Sequence, residues 1–246
     1  MKKQNIFLVC ILALLLAFAG CKSNDAPETK TDAPETNTEN TASAGETISG
    51  ADLDKIEEDN KEKENYLVID VRGPEQYNEG HVKHAINMPL DTLESRLSEI
   101  ESFKDKNVIT VCNTGKKSGE AQKILQDNGF TKVLNAEGVK DFAYTTMTKA
   151  ESVLGPEFAE LAKGDVTILD FREAEDFNEG HIAGAINTTA DEVLNILDQI
   201  PKDKPVLTYC YSGNRSFGGA HKLAEEGYDV TNAIDGTKEY EYELVK

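Results

Sequence analysis

Residues 166–190, VTILDFREAEDFNEGHIAGAINTTA, restate residues 66–90, YLVIDVRGPEQYNEGHVKHAINMPL. Asp70 and Asp170, Arg72 and Arg172, His81 and His181, and Asn87 and Asn187 all lie 100 positions apart. Self-similarity at a fixed offset means one supersecondary unit used twice. Each copy opens on a short apolar run, Leu67 to Ile69 or Val166 to Leu169, which reads as a buried strand ending at an Asp. A polar turn through NEGH and a short extended piece around AIN follow. Next come LDTLESRLSEIESF and ADEVLNILDQI, helical by their apolar spacing of three or four.

Downstream, VITVC (108–112) and VLTYC (206–210) read as buried strands, each ending on a cysteine. The stretches EAQKILQDNGF and GAHKLAEEGY read as helices ended by Gly129 and Gly227, and KVLNA or DVTNA closes each unit. The two cysteines are 98 apart, as are Gly138 and Gly236. Strands alternating with helices at this spacing predict α/β architecture, with an open, mostly parallel sheet in each copy. The expected organisation is a signal over 1–20, a tether over 21–46, one domain over 47–145, a linker with an entry helix over 146–163, and a second domain over 164–246.

The cysteine segments are CNTGKKS (112–118) and CYSGNRS (210–216), sharing Cys, Gly, a cation and Ser at positions 0, +3, +5 and +6. A cysteine at the carboxyl end of a parallel strand sits where α/β sheets place their ligands. Small residues after it let several backbone N–H groups turn towards the sulfur. The helix N-terminus adds partial positive charge and Arg215 or Lys117 a full one. All three favour thiolate, taking the pKa below the free value of about 8.5. The same cradle would hold a persulfide or a substrate oxyanion. The bland alternative is a buried strand-end cysteine beside a glycine turn, and the sharing of four positions by both copies argues against it.

Together these residues resemble the rhodanese-like sulfurtransferases, whose pattern is D-x-R, then E-G-H-I-x-G-A-I-N, then C-x-x-G-x-R-S. The second copy carries DFR, EGHIAGAIN and CYSGNRS; the first carries DVR, EGHVKHAIN and CNTGKKS. The resemblance covers about residues 47–246 and implies two tandem rhodanese-like domains. It also implies a thiolate that takes a sulfane sulfur from a small anionic donor such as thiosulfate and passes it to a thiol or cyanide-like acceptor. Cys210 is then the main nucleophile and persulfide carrier, cradled by Tyr211, Ser212, Gly213, Asn214, Arg215 and Ser216. Cys112 forms a second, weaker site with Asn113, Thr114, Gly115, Lys116, Lys117 and Ser118, because Lys117 is a point charge where the family has a planar guanidinium. No organic cofactor or metal is required, since the sulfur rides on the enzyme itself. The Trp that often follows the terminal glycines is absent, and Phe142 and Tyr240 stand nearby.

Three other readings compete with this one. Phosphatases and arsenate reductases of the related fold place the arginine at +6 and enclose a larger oxyanion, whereas here the cation is at +5. A non-catalytic binding or sensor module is disfavoured by retention of both cysteines. Thiol exchange with partner proteins stays open, because a low-pKa thiol serves both uses. His81 and His181 are read as fixing the loop between strands or as general bases, and Asp70–Arg72 and Asp170–Arg172 as ion-pair scaffolds. Tyr211 and Ser212 either shape substrate access or face solvent.

A formal net charge of −19 argues against a nucleic-acid partner. The opening MKKQNIFLVCILALLLAFAGC has two lysines and an apolar run too short to span a bilayer, so it reads as a cleaved signal. AFAGC (17–21) resembles a lipobox, making Cys21 the lipidation site of an extracytoplasmic, membrane-anchored bacterial lipoprotein. Residues 22–46 hold little that is apolar beyond Ala and Pro and read as a disordered tether. Oligomeric state is not legible. A disulfide between Cys112 and Cys210 would need the two turns to face each other within about 7 Å.

Overall fold

A computed structural model of the chain describes residues 45–246. The expected leader, Cys21 and nearly all of the tether lie outside the described residues. The first repeat runs β1 (Thr47–Ile48), α1 (Gly50–Glu58), β2 (Tyr66–Asp70), α2 (Pro74–Glu79), β3 (His81–Val82), β4 (Ile86–Asn87), α3 (Leu90–Leu93), β5 (Asn107–Val111), α4 (Lys116–Asp127) and β6 (Lys132–Ala136). A short strand β7 (Met147–Thr148) then returns antiparallel to β3. The second repeat runs β8 (Glu151–Val153), α5 (Gly155–Leu161), β9 (Thr167–Asp170), α6 (Ala174–Glu179), β10 (Ile186–Asn187), β11 (Val206–Tyr209), α7 (Asn214–Glu225) and β12 (Val230–Ala233).

The two sheets have the same order, β1-β6-β5-β2-β4 and β8-β12-β11-β9-β10, and every neighbouring pair within them is parallel. Parallel strands carry helices on both faces, so their sequences read as unbroken apolar runs. In β2, Leu67 and Ile69 enter one core with Val108 and Leu125, while Val68 enters the opposite core with Ile109 and Leu53. That side-to-side alternation is the strand's period of two.

The linker expected over 146–163 is largely part of the repeats. β8 is the edge strand of the second sheet, pairing with β12 as β1 pairs with β6. Its helix α5 corresponds to α1, with Gly155 in the place of Gly50. A Cβ at Gly50 would lie 2.2 Å from the Phe142 ring, and one at Gly155 would lie 2.3 Å from the Tyr240 ring. The two aromatics near the missing Trp positions therefore seal their repeats over a glycine. β7 closes the first repeat as Val245, bridging His181, closes the second, so the connection shrinks to residues 149–150.

The third helical stretch of each repeat also differs from expectation. Past α3 the chain continues as a 3-10 helix, Glu94–Phe103, broken at the buried Ile100; its counterpart Val193–Gln199 is broken at Ile196. Tighter turns in short pieces are common in such connectors.

Candidate functional site

Central strands β5 and β11 deliver Cys112 and Cys210 to the carboxyl edges of their sheets, both thiols free and almost fully buried. Gly115 (φ 76°) and Gly213 (φ 77°) then turn the chain into α4 and α7 through the left-handed region that glycine enters at no steric cost. A second glycine backs each loop. A Cβ on Gly138 would lie 2.2 Å from the Asn113 carbonyl oxygen, and one on Gly236 would lie 2.2 Å from the Tyr211 carbonyl carbon. This close approach lets Val139 N–H donate to the Cys112 carbonyl at 2.9 Å and Thr237 N–H to the Cys210 carbonyl at 3.0 Å.

At the first sulfur, Ser118 donates twice, from its hydroxyl at 3.2 Å and from its N–H at 3.4 Å. Burial pushes the Cys112 thiol up, but the Ser118 hydroxyl and the N–H groups of Ser118, Thr114 and Gly115 outweigh it and hold the thiol below its ordinary value. At the second sulfur, the Ser216 hydroxyl donates to Cys210 Sγ at 3.4 Å.

The cations do not sit where the sequence reading put them. Arg215 was expected to charge the Cys210 cradle; instead its Nη1 donates to Glu173 at 2.6 Å and its guanidinium lies over the Tyr211 ring, at the exposed rim. One nitrogen of the guanidinium is thus engaged by a carboxylate and its face by an aromatic ring. Lys116 and Lys117 stand in solvent and make no ion pair among the described residues. Tyr211 is tied down rather than solvent-facing, its hydroxyl donating to Asp176 and accepting from Glu173 N–H at 3.3 Å. In the first loop Asn113 makes the equivalent contact, donating to Gln76 at 3.2 Å.

The largest difference between the loops is their cover. Thr114, Lys116 and Lys117 of the first loop are exposed, whereas Ser212 and Gly213 of the second are buried. The cover is the segment between α1 and β2 of the first repeat. Asn214 Nδ2 donates to the Asn60 carbonyl at 2.9 Å and to Glu64 Oε1 at 3.0 Å. Lys63 Nζ donates to the carbonyls of Ser212 at 2.8 Å and Ile234 at 3.1 Å. Sequence reasoning missed Lys63, Asn60 and Glu64 because they lie in EEDNKEKEN (57–65), a charge run that reads as a solvated face.

The remaining candidates are scaffolds. Both ring nitrogens of His81 face main-chain carbonyls, of Tyr77 and Ala150 at 3.0 Å each, so the ring fixes the loop and is not placed as a base. His181 Nδ1 meets the Phe177 carbonyl in the same way. Arg72 grips Asp70 through Nε and Nη2 and reaches the Gly80 carbonyl at 2.7 Å; Arg172 repeats the arrangement with Asp170 and Gly180. Asn87 and Asn187 each donate to the main-chain carbonyls of both members of that pair.

Comparison with known proteins places both repeats together. The family description "Rhodanese-like domain" matches residues 53–142 and 157–243. The thiosulfate sulfurtransferase PspE of Escherichia coli is 47% identical over 75 residues, which is 30% of this chain and 72% of that protein. The thiosulfate sulfurtransferase GlpE of Tolumonas auensis is 41% identical over 71 residues, 29% of this chain and 67% of that protein. Among solved structures, a rhodanese with anions from E. coli is 42% identical and covers 35% of this chain and 99% of its own, with a TM-score of 0.32.

Proposed function

This chain belongs to the rhodanese-like domain family, and from that premise we propose that it is a sulfurtransferase working through a cysteine persulfide. The observation that carries the reading is the hydrogen-bonded sulfur at the end of a central strand, present in both repeats. At Cys112 it is a thiol held below its ordinary pKa by main-chain and serine donors. The similarity of a repeat-length stretch to thiosulfate sulfurtransferases supports a small anionic donor.

The thiolate attacks the sulfane sulfur of thiosulfate. A bond forms between Sγ and that sulfur, the sulfur–sulfur bond of thiosulfate breaks, and sulfite leaves with the electron pair. The N–H groups that favoured the thiolate now face the terminal sulfur of the persulfide, which carries the negative charge. A thiolate or cyanide acceptor then takes the outer sulfur and returns the cysteine as thiolate. Redox state is conserved across the cycle and no outside oxidant is consumed.

The test is intact mass of the full chain after thiosulfate, on wild type and on Cys112→Ser and Cys210→Ser. The expected result is a gain of one sulfur atom that cyanide removes and that disappears from the site substituted. No gain on any form, with thiols shown to be free, overturns the reading for thiosulfate. The sequence of the leader supports placing the body outside the cytoplasm on a lipid-modified Cys21; loss of fatty-acid labelling in Cys21→Ala checks that placement.

A further inference from the structure

Lys63 is buried, 5% exposed between exposed neighbours in a charge run whose other buried member is Glu57. An ammonium has three donors and prefers water, so burying one without a carboxylate is costly. Here two donors go to the Ser212 and Ile234 carbonyls, and among the described residues Lys63 has no carboxylate at ion-pair distance. It lines a cavity of roughly 200 Å³ between the repeats with Glu57, Glu64, His84, Asp235 and Glu239. Burial pushes the Lys63 ammonium pKa down, while Glu57, then Cys210, then Glu64 and Glu239 pull it up.

The geometry acts on the cysteine through one peptide. In a planar trans peptide the C=O and the following N–H point in opposite directions. Holding the Ser212 carbonyl on Lys63 therefore turns the Gly213 N–H away from Lys63, into the loop. The equivalent Gly115 N–H of the first loop is one of the groups that lower the Cys112 pKa.

A neighbouring contact shows how firmly the first repeat is seated there. His84 holds φ 60° where the second repeat has Gly184 at φ 80°. A non-glycine residue in that region persists only where its surroundings over-determine it. His84 Nδ1 bonds Glu57 at 2.8 Å, and its ring packs 4.6 Å from Phe217, the residue after Ser216. Lys83 caps the same Phe217 ring at 5.3 Å.

We propose that Lys63 of the first repeat is a positioning residue for Cys210: it aims the Ser212–Gly213 peptide and lends the covered thiolate a cation that Arg215, held by Glu173, does not supply. The second cysteine site is thus completed across the repeats, whereas the first is made by its own loop. The use of that thiolate rests on the sulfurtransferase reading; the positioning does not.

The experiment is the pH profile of alkylation by iodoacetamide in the full chain, read by mass spectrometry on the Cys210 and Cys112 peptides separately. In Lys63→Met the Cys210 midpoint rises by about one unit, roughly a tenfold fall in the ionisation constant, and the Cys112 midpoint stays put. Lys63→Arg, which keeps charge and donors, returns the Cys210 midpoint towards wild type. An unchanged Cys210 midpoint in a cooperatively folded Lys63→Met, or equal movement of both midpoints, overturns the proposal. If Lys63→Met does not fold, Lys63→Gln is read by the same criterion. A wild type that takes no sulfur yet shows the Lys63 shift sinks the functional reading alone. Sulfur loading without a Lys63 shift sinks this inference alone.

Discussion

The two cysteine loops share three of seven residues and a cation at a fourth position, the same strand end and the same glycine turn, yet their surroundings are unlike. The Cys112 loop is open, its sulfur receives two donors from Ser118, and its lysines make no ion pair among the described residues. The Cys210 loop carries the fuller family pattern, but it lies under the first repeat with its arginine engaged by Glu173. A motif sets what a loop is able to do; neighbours contributed from elsewhere in the chain set when it does so. Ranking the second site above the first from the motif alone weighed only the loop.

The largest expected effect tests how differently the loops are packed. Gly115 and Gly213 have nearly the same φ, so alanine at either meets the left-handed penalty of ~1–2 kcal/mol. A Cβ at Gly115 meets nothing nearer than 3.8 Å, but at Gly213 it lies 2.6 Å from the Ala233 carbonyl and 2.7 Å from the Ile234 backbone. Overpacking against main chain adds about 1–3 kcal/mol. Denaturant unfolding is expected to show Gly213→Ala costing ~3–4 kcal/mol in all and Gly115→Ala about half as much. Equal costs would erase the asymmetry in packing.

The next effect is a pH dependence that comes mainly from the first repeat. Burial pushes the Glu57 carboxyl up to about 8 and pushes His84 well below its usual value. Their 2.8 Å contact is therefore a hydrogen bond from a protonated carboxyl to a neutral imidazole, not an ion pair. Between pH 4.5 and 6.5 the folded state holds the proton on Glu57 while the unfolded state holds one on His84, so these two contributions cancel. Above 6.5 the unfolded state has lost both protons and the folded state keeps one, so stability falls as pH rises towards 8. The limiting slope of ~1.4 kcal/mol per pH unit is reached only mid-window, so the loss is about 1 kcal/mol. Asp235, raised by burial to about 7, adds in the same direction at the start of that window. Unfolding free energies at pH 6.5 and 8 should show the fall, and Glu57→Gln should remove most of it. The second repeat has Ala162 and Gly184 at these positions and so has no counterpart of the Glu57–His84 pair.

Much of this molecule was legible because the repeat is a local pattern. Strand runs such as Leu67 to Ile69, the helix-ending Gly129 and Gly227, and the Asp–Arg clamps all follow from residues close in sequence. The start of the second repeat was not legible. Its edge strand Glu151–Val153 is only three residues long, and ISGADL resembles VLGPEF in little beyond the glycine that an aromatic covers. The loop's covering residues were hidden for another reason. Lys63 meets Ser212 across 149 positions, and no periodicity in a charged run announces which lysine a distant carbonyl will bury.

A smaller effect separates the two sulfurs directly. At neutral pH the Cys112 peptide should alkylate faster than the Cys210 peptide, because its loop is uncovered and its thiol is held below the ordinary pKa. Ser118→Ala removes the hydroxyl donor at 3.2 Å but keeps the N–H, so the Cys112 midpoint should rise by about 0.5–1 unit, the scale of one ordinary net hydrogen bond of ~1 kcal/mol. Ser216→Ala removes a longer contact and should move Cys210 less. A larger shift at Cys210 than at Cys112 would reverse the order of the two cradles.

The smallest effect concerns the rim cations. Arg215 and Glu173 are each more than half exposed, and a pair so placed contributes ~0.5 kcal/mol or less to stability. Arg215→Ala should therefore leave the unfolding midpoint almost unmoved. Under the sulfurtransferase reading the two rims then differ in what they offer an anion. Lys117 presents an uncompensated charge, while Glu173 neutralises Arg215 before thiosulfate arrives. Lys117→Ala should slow sulfur loading of Cys112 roughly two- to threefold, and Arg215→Ala should slow that of Cys210 less. Glu173→Gln frees the guanidinium and should raise loading of Cys210 by a similar factor, an increase that Arg215→Ala abolishes in the double variant. If Glu173→Gln leaves loading unchanged, the pairing at the rim does not govern the second site, and its cover by the first repeat is what separates the two loops.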